Sequence, residues 1–283
     1  MNATSEISRT PSPSDSLPHD PAPALTLAEP FVFEAMGTVV SVRAVGGVPA
    51  AALPHLRDAF EALEDRFSLY RPASEASQVA NRTLTLRQAS DEYRRVYDLA
   101  IDWRAATSGA FTPHRPDGAV DLSGIVKALG IQAVAAVLDA HGVRDYVLNA
   151  GGDVVVSGAQ PDGRPWVVGI VDPDDRTRLL SQYSAPVPVS DAGGEPTSAP
   201  TRRAVATSGV AERGDHVWHL GSDDTFCQVT VVADDIVTAD VLATAVLAGG
   251  PGTLAEATTG WPGLEVLACA PDGRRWATPA FRA

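Results

Sequence analysis

Residues 119–157 read AVDLSGIVKALGIQAVAAVLDAHGVRDYVLNAGGDVVVS, and the order of elements in this stretch decides the fold class. Residues 119–122 have the pattern of a short strand. Ser123 and Gly124 then open a helix that runs to about Ala140 and stops near Gly142. Residues 146–148 and 154–156 read as two strands, with Gly151 and Gly152 as the tight turn between them. A helix that feeds a hairpin is not the strict strand–helix–strand alternation of a doubly wound sheet. The rest of the chain mixes its elements in the same way, so the predicted class is α+β, with mixed sheets and packed helices.

Working outward, residues 31–45 alternate like a strand, with Gly37 expected as a bulge or a point of close approach. Leu53, Leu56, Phe60, Leu63 and Phe67 recur at helical spacing across residues 49–67. Ser90 is placed to cap a helix over 91–107, with Tyr93, Val96, Tyr97 and Ala100 on its apolar face. Residues 166–171, 203–207, 226–232 and 264–270 read as further strands, and 238–248 as an apolar helix. Residues 181–201 are rich in Pro, Ser and Gly and read as a surface loop. Residues 1–30 carry six prolines and five serines without apolar periodicity and are expected to be a disordered tail, leaving one domain over 31–283. No internal repeat is found.

Composition narrows the function classes. Of 283 residues, 45% are hydrophobic and 20% charged, enough apolar content for a sizeable core. The net charge of −13 argues against bulk binding to nucleic acid or an anionic membrane, while leaving room for a local basic pocket. No run of about 18 apolar residues is read, so no transmembrane segment is expected. No basic region followed by an apolar one opens the chain, and no lipobox cysteine follows, so the expected location is cytoplasmic. Cys227 and Cys269, the only cysteines, lie in apolar strand-like runs and are expected to be buried and inert.

Lys127 is the only lysine; the other 21 basic residues are arginines. It sits near the start of a helix, where a cation opposes the helix dipole, which suggests an anion nearby. With Asp121, Ser123 and Gly124, it would form an anion site at exposed backbone N–H groups. The alternative is that Asp121 caps the helix and Lys127 is solvated. Asn149-Ala-Gly151-Gly152-Asp153 and Ala206-Thr207-Ser208-Gly209 are small-residue turns that allow close backbone approach to a ligand, or are ordinary turns. Asp240 and Thr244 stand at i and i+4 on an apolar helix. A carboxylate and a hydroxyl on one face suit Mg²⁺, or else a hydrogen bond from helix to loop. His216 and His219 could move protons, or be ordinary surface or core histidines.

In this order the segments resemble the ApbE family, the FAD:protein FMN transferases. The resemblance rests on Met36-Gly37-Thr38, Tyr70-Arg71-Pro72 with Ser74-Glu75, Gly109-Ala-Phe111-Thr-Pro113, Asp121-Leu-Ser-Gly-Ile-Val-Lys127, Gly151-Gly152-Asp153, Ala206-Thr207-Ser208-Gly209 and Asp240-Val-Leu-Ala-Thr244. It covers about residues 31–280. It implies an FAD site between the two halves of the domain, lined by Met36, Gly37, Thr38, Tyr70, Arg71, Asp121, Lys127, Gly151, Gly152, Asp153, Thr207 and Ser208. It further implies Mg²⁺ held by Asp240, Thr244 and the carbonyl of Gly124, with His216 as the proton acceptor. The implied reaction moves FMN from FAD to a Ser or Thr hydroxyl of an acceptor redox protein and releases AMP. The alternatives are an FAD-binding protein without turnover, or a pyrophosphatase giving FMN and AMP. The sequence departs from the family after Ala206-Thr207-Ser208-Gly209: His216 matches, but the Asp-Pro-x-Thr-Gly that usually follows is absent.

Overall fold

The computed structural model describes residues 26–187, 201–209 and 226–281. Its frame is an eight-stranded antiparallel sheet in the order β1-β2-β3-β4-β7-β8-β9-β10. The strands are β1 (Phe31–Ala35), β2 (Thr38–Ala44), β3 (Tyr146–Ala150), β4 (Asp153–Ser157), β7 (Arg202–Gly209), β8 (Gln228–Ala233), β9 (Glu265–Cys269) and β10 (Arg275–Ala277). β5 (Val167–Val171) and β6 (Leu179–Ser184) form a separate hairpin. The helices are α1 (Leu53–Phe67), α2 (Glu75–Ala80), α3 (Asp91–Ala106), α4 (Ser123–Ala140) and α5 (Ile236–Gly260). The α+β class follows.

Strand composition reports which faces are covered. Ala204, Ala206, Val229, Val231, Val266 and Ala268 point to the helical core, where they meet α1, α4 and α5. Val154, Val156, Val205, Val232 and Leu267 point the other way, into a second core closed by Trp166, Val168, Ile170 and Tyr183 of the β5–β6 hairpin and by Phe281. β4 and β7–β9 are therefore apolar on both faces, whereas β1 and β2 alternate and leave Val32 and Val39 exposed. Helix α4 can lie close to α1 because residue 130 is glycine: a Cβ there would stand 2.6 Å from the Phe60 ring.

Several elements differ from expectation. Residues 31–45 are two strands, not one bulged strand: Ala35 pairs with Thr38, and Met36 and Gly37 form the two-residue turn at φ of 49° and 70°. Two positive φ values match the right-handed twist of a hairpin. The expected strand over 119–122 is reduced to one bridge, His114 to Val120. The loop expected over 181–201 begins with the end of β6, and residues 188–200 lie outside the described residues. The expected disordered tail, as far as residue 25, is also outside them; its last part is tied down, since Leu27 bridges to Val45 and Gly46 N–H donates to Thr26 O. Helix α5 outlasts the predicted 238–248, resuming beyond a break at Gly250, where φ is 69°, and Pro251.

Helices α4 and α5 are, by length and composition, apolar enough to cross a membrane, contrary to the expectation of no such segment. Runs of Ala, Val and Gly give them that character. In the fold they pack against each other and spend their apolar surface on the core. Cys269 is buried as expected, whereas Cys227 is only half-buried, contrary to expectation. Burial pushes both thiols up, Cys269 to about 11, and they form no disulfide.

Candidate functional site

A cavity of about 1120 Å³ opens where α1, α4 and α5 meet one end of the sheet. The turn between β1 and β2, the turn between β3 and β4, and the end of β7 all reach this end. That convergence is why Met36, Gly37, Thr38, Gly151 and Thr207 share one wall. The Gly151 turn is close-packed: φ is 62°, and a Cβ there would stand 2.6 Å from Thr38 Oγ1. Met36 is held at positive φ, with its N–H donating to Glu64 Oε2 at 3.2 Å. A non-glycine residue in that region carries strain, and such strain gathers at ligand sites.

One flank of the cavity is apolar and aromatic: Met36, Leu63, Phe67, Leu69, Tyr70 and Phe111. Tyr70 is 87% exposed, so its ring face is available for a planar ligand to stack on. Arg71 beside it is oriented by Asp65 and by Glu64, the latter at 3.4 Å. The other flank is polar and centres on the start of α4. That helix begins without a side-chain cap. Ser123 N–H donates to Asp121 Oδ1 at 2.9 Å, and Gly124 faces the cavity. A helix N-terminus of this kind favours an anion.

The anion that the lone lysine implied is in the protein. Lys127 Nζ is paired with Asp153 Oδ2, and Asp153 is fully buried while Lys127 keeps 22% of its side chain exposed to the cavity. The reading of Lys127 as simply solvated is thereby excluded. The second oxygen of Asp153 accepts from Thr207 N–H at 3.1 Å. One carboxylate thus fixes both an ammonium on α4 and the backbone of β7. Two separate hydroxyl pairs lie at this end of β7: Thr207 Oγ1 with Thr230 Oγ1 at 2.9 Å, and Ser208 Oγ with Thr244 Oγ1 at 3.1 Å. Thr244 lines the cavity, and Asp240, one turn earlier on α5, is fully buried.

Of the residues singled out from sequence, Met36, Gly37, Thr38, Tyr70, Arg71, Asp121, Gly124, Lys127, Gly151, Thr207 and Thr244 line the one cavity. Asp153, Ser208 and Asp240 do not line it and are buried, and Gly152, which also does not line it, is an exposed turn residue whose N–H donates to Asn149 Oδ1 at 3.0 Å. His216 lies outside the described residues, as does His219. Glu64, Arg115 and Arg176 also line the cavity and were not foreseen. Glu64 sat unremarked on a charged helix face, and Arg176 sits on the β5–β6 hairpin far from any recognisable segment.

The ApbE family model matches residues 36–115 and 112–268, and the chain belongs to that family. Among curated relatives, it is 30% identical over 139 residues to an FAD:protein FMN transferase of Vibrio cholerae, covering 48% of this chain and 40% of that protein. It is 29% identical over 182 residues to one of Klebsiella pneumoniae, covering 59% and 48%. The matched stretches thus span less than half the length of either relative. Among solved structures, the fold is similar to the flavin transferase ApbE from Vibrio cholerae, with a TM-score of 0.68 at 22% identity, covering 91% of this chain and 99% of that one. It is also similar to the Pseudomonas stutzeri flavinyl transferase ApbE, with a TM-score of 0.69 at 18% identity, covering 91% and 97%.

Proposed function

We propose that this protein is a Mg²⁺-dependent flavin transferase that moves FMN from FAD to a Ser or Thr hydroxyl of an acceptor protein and releases AMP. The observation that carries this reading is a single cavity of dinucleotide size with an exposed aromatic ring on one flank and a helix N-terminus with a held ammonium on the other. Family membership supports it. FAD is built to the same plan: a planar ring system at one end and a diphosphate in the middle.

Tyr70 offers its face to a ring of the substrate. Lys127, held in place by Asp153, offers its ammonium to the diphosphate, and the N-terminal turn of α4 adds backbone donors. The donor set of Asp240, Thr244 and the Gly124 carbonyl is all oxygen and includes a fully buried carboxylate, which fits a hard cation. Bound there, Mg²⁺ would neutralise diphosphate charge and polarise the phosphorus. The acceptor hydroxyl oxygen attacks the FMN phosphorus, the P–O–P bond breaks, AMP leaves, and the hydroxyl proton passes to a base. We assign that base to His216.

The test incubates the protein with FAD, with and without Mg²⁺, and with an acceptor domain carrying an exposed Thr. Covalent flavin on the acceptor together with stoichiometric AMP supports the reading. AMP with free FMN in the absence of acceptor makes water the acceptor instead. Bound but intact FAD in the presence of Mg²⁺ and acceptor refutes turnover. Asp240→Ala is expected to lower the Mg²⁺-dependent rate by about a hundredfold or more, the order expected when a charge-stabilising group is lost; full activity in that variant sinks the metal assignment.

A further inference from the structure

We propose that Arg176, at the tip of the β5–β6 hairpin, is a diphosphate-binding residue of this cavity, supplied from the opposite face of the sheet to the helices. The inference rests on the flavin reading above and names a residue that the family segments do not contain.

The backbone of the tip is ordered by its own hydrogen bonds. Asp174 N–H donates to Asp172 Oδ1 at 2.9 Å, and Thr177 donates to Asp175 Oδ1 through its N–H at 3.0 Å and its hydroxyl at 2.6 Å. Asp172 N–H donates to Arg178 O at 3.0 Å, and Arg178 N–H to Asp175 O at 2.9 Å, closing the turn around Arg176. Turns ordered by Asp side chains hold their backbone without help from the rest of the fold. The hairpin itself is anchored below by Trp166, Val168, Ile170 and Tyr183 in the second core.

Topology says which part of the cavity Arg176 reaches. Gln228 at the start of β8 donates its side-chain amide to Val171 O at 2.9 Å, so the turn leaves β5 beside the end of the β7–β8 pair. Thr207 lies two residues from that end, and its N–H shares Asp153 with Lys127. The turn at Met36-Gly37 is four strand positions away from β8 in the sheet order. At about 4.8 Å per strand that is about 19 Å along the sheet, so the hairpin leaves the sheet nearer to Thr207 than to that turn. The hairpin thus brings Arg176 into the cavity from the side where Thr207 and Lys127 share Asp153. A planar fork of N–H donors in one cavity with an ammonium is a pair of groups suited to the two phosphates of a dinucleotide.

The experiment measures equilibrium affinities of the whole protein for FAD, ADP and riboflavin, in wild type, Arg176→Ala and Arg176→Lys, with thermal midpoints to verify folding. Arg176→Ala is expected to weaken FAD and ADP by about tenfold to a hundredfold, the worth of one charge-assisted hydrogen bond, and to leave riboflavin within about twofold. Arg176→Lys should recover part of the loss. Unchanged FAD affinity in Arg176→Ala overturns the inference while the flavin reading stands. Equal losses for FAD and riboflavin also overturn it, by placing the residue at the ring or in the fold. A wild type that binds neither FAD nor ADP overturns both readings together.

Discussion

Lys127 and Asp153 are joined in one ion pair but stand in unequal surroundings, and removing either should show it. Asp153 is fully buried, whereas Lys127 keeps 22% exposure to an open cavity. In Lys127→Met the carboxylate is stripped of its cation where water cannot replace it. Breaking a buried pair from that side costs about 3–5 kcal/mol. In Asp153→Asn the ammonium turns to the cavity and is hydrated, and the amide oxygen can still accept from Thr207 N–H. The expected cost is about 1–2 kcal/mol, the range for a lost hydrogen bond to a charged group. The double variant leaves no charge to compensate, so its cost should fall below that of Lys127→Met alone. The coupling energy is then about 2–3 kcal/mol.

Urea unfolding at pH 7 of the four proteins closes the cycle. A second readout follows from the sign of the linkage. In Lys127→Met, burial without the cation raises the folded-state pKa of Asp153 above its unfolded value. The neutral acid is then the form the fold prefers, and the deficit relative to wild type shrinks as pH falls through that raised pKa. Additivity within about 0.5 kcal/mol, or a larger cost for Asp153→Asn than for Lys127→Met, refutes the unequal-burial argument.

One further substitution and one reagent test other parts of the site and core. Met36→Gly relieves a residue held at φ of 49°; stability should be unchanged or rise by about 1 kcal/mol, while flavin affinity falls because an apolar wall is lost, and a stability loss beyond about 1 kcal/mol would show that the strain is absent. Iodoacetamide at pH 8 should leave Cys269 unmodified in the folded protein, since burial pushes its thiol up to about 11 and thiolate is the reactive form. Labelling should rise with pH above about 9, with unfolded protein as the fast control; rapid labelling at pH 8 refutes the burial account.

The parts of the fold that were legible in the sequence are those whose signals are local. Ser90 accepts from Tyr93 N–H at the start of α3 as its spacing predicts, and Gly151-Gly152 turns β3 into β4 with both residues at positive φ. Cap chemistry and glycine conformations act within four residues, so one sequence is enough to read them. The Met36-Gly37 turn was illegible for the opposite reason. Methionine has no turn preference, and its positive φ is imposed from elsewhere, including the Glu64 carboxylate 28 residues on. The bridge at Val120 failed to become a strand because only His114 pairs with it. Arg176 had no signal, because its place in the cavity depends on how a second hairpin is hung on the far face of the sheet.

Lys127 shows how a correct physical clue can have an answer inside the protein. A cation in the first turn of a helix is unfavourable unless an anion is near, and the sequence alone does not say which anion. The fold supplies Asp153, from a turn 26 residues further on, and the ligand reading adds a phosphate. The two are compatible only because the pairing is one-sided. The ammonium has a buried carboxylate behind it and open cavity in front, so it can be held in position before any ligand arrives. Holding the cation in advance removes the entropy cost of ordering a long side chain at the moment of binding. It also lowers the cation's attraction for a phosphate, because part of its charge is already compensated. Arg71, Arg115 and Arg176 line the same cavity, so its positive charge does not rest on the lysine alone.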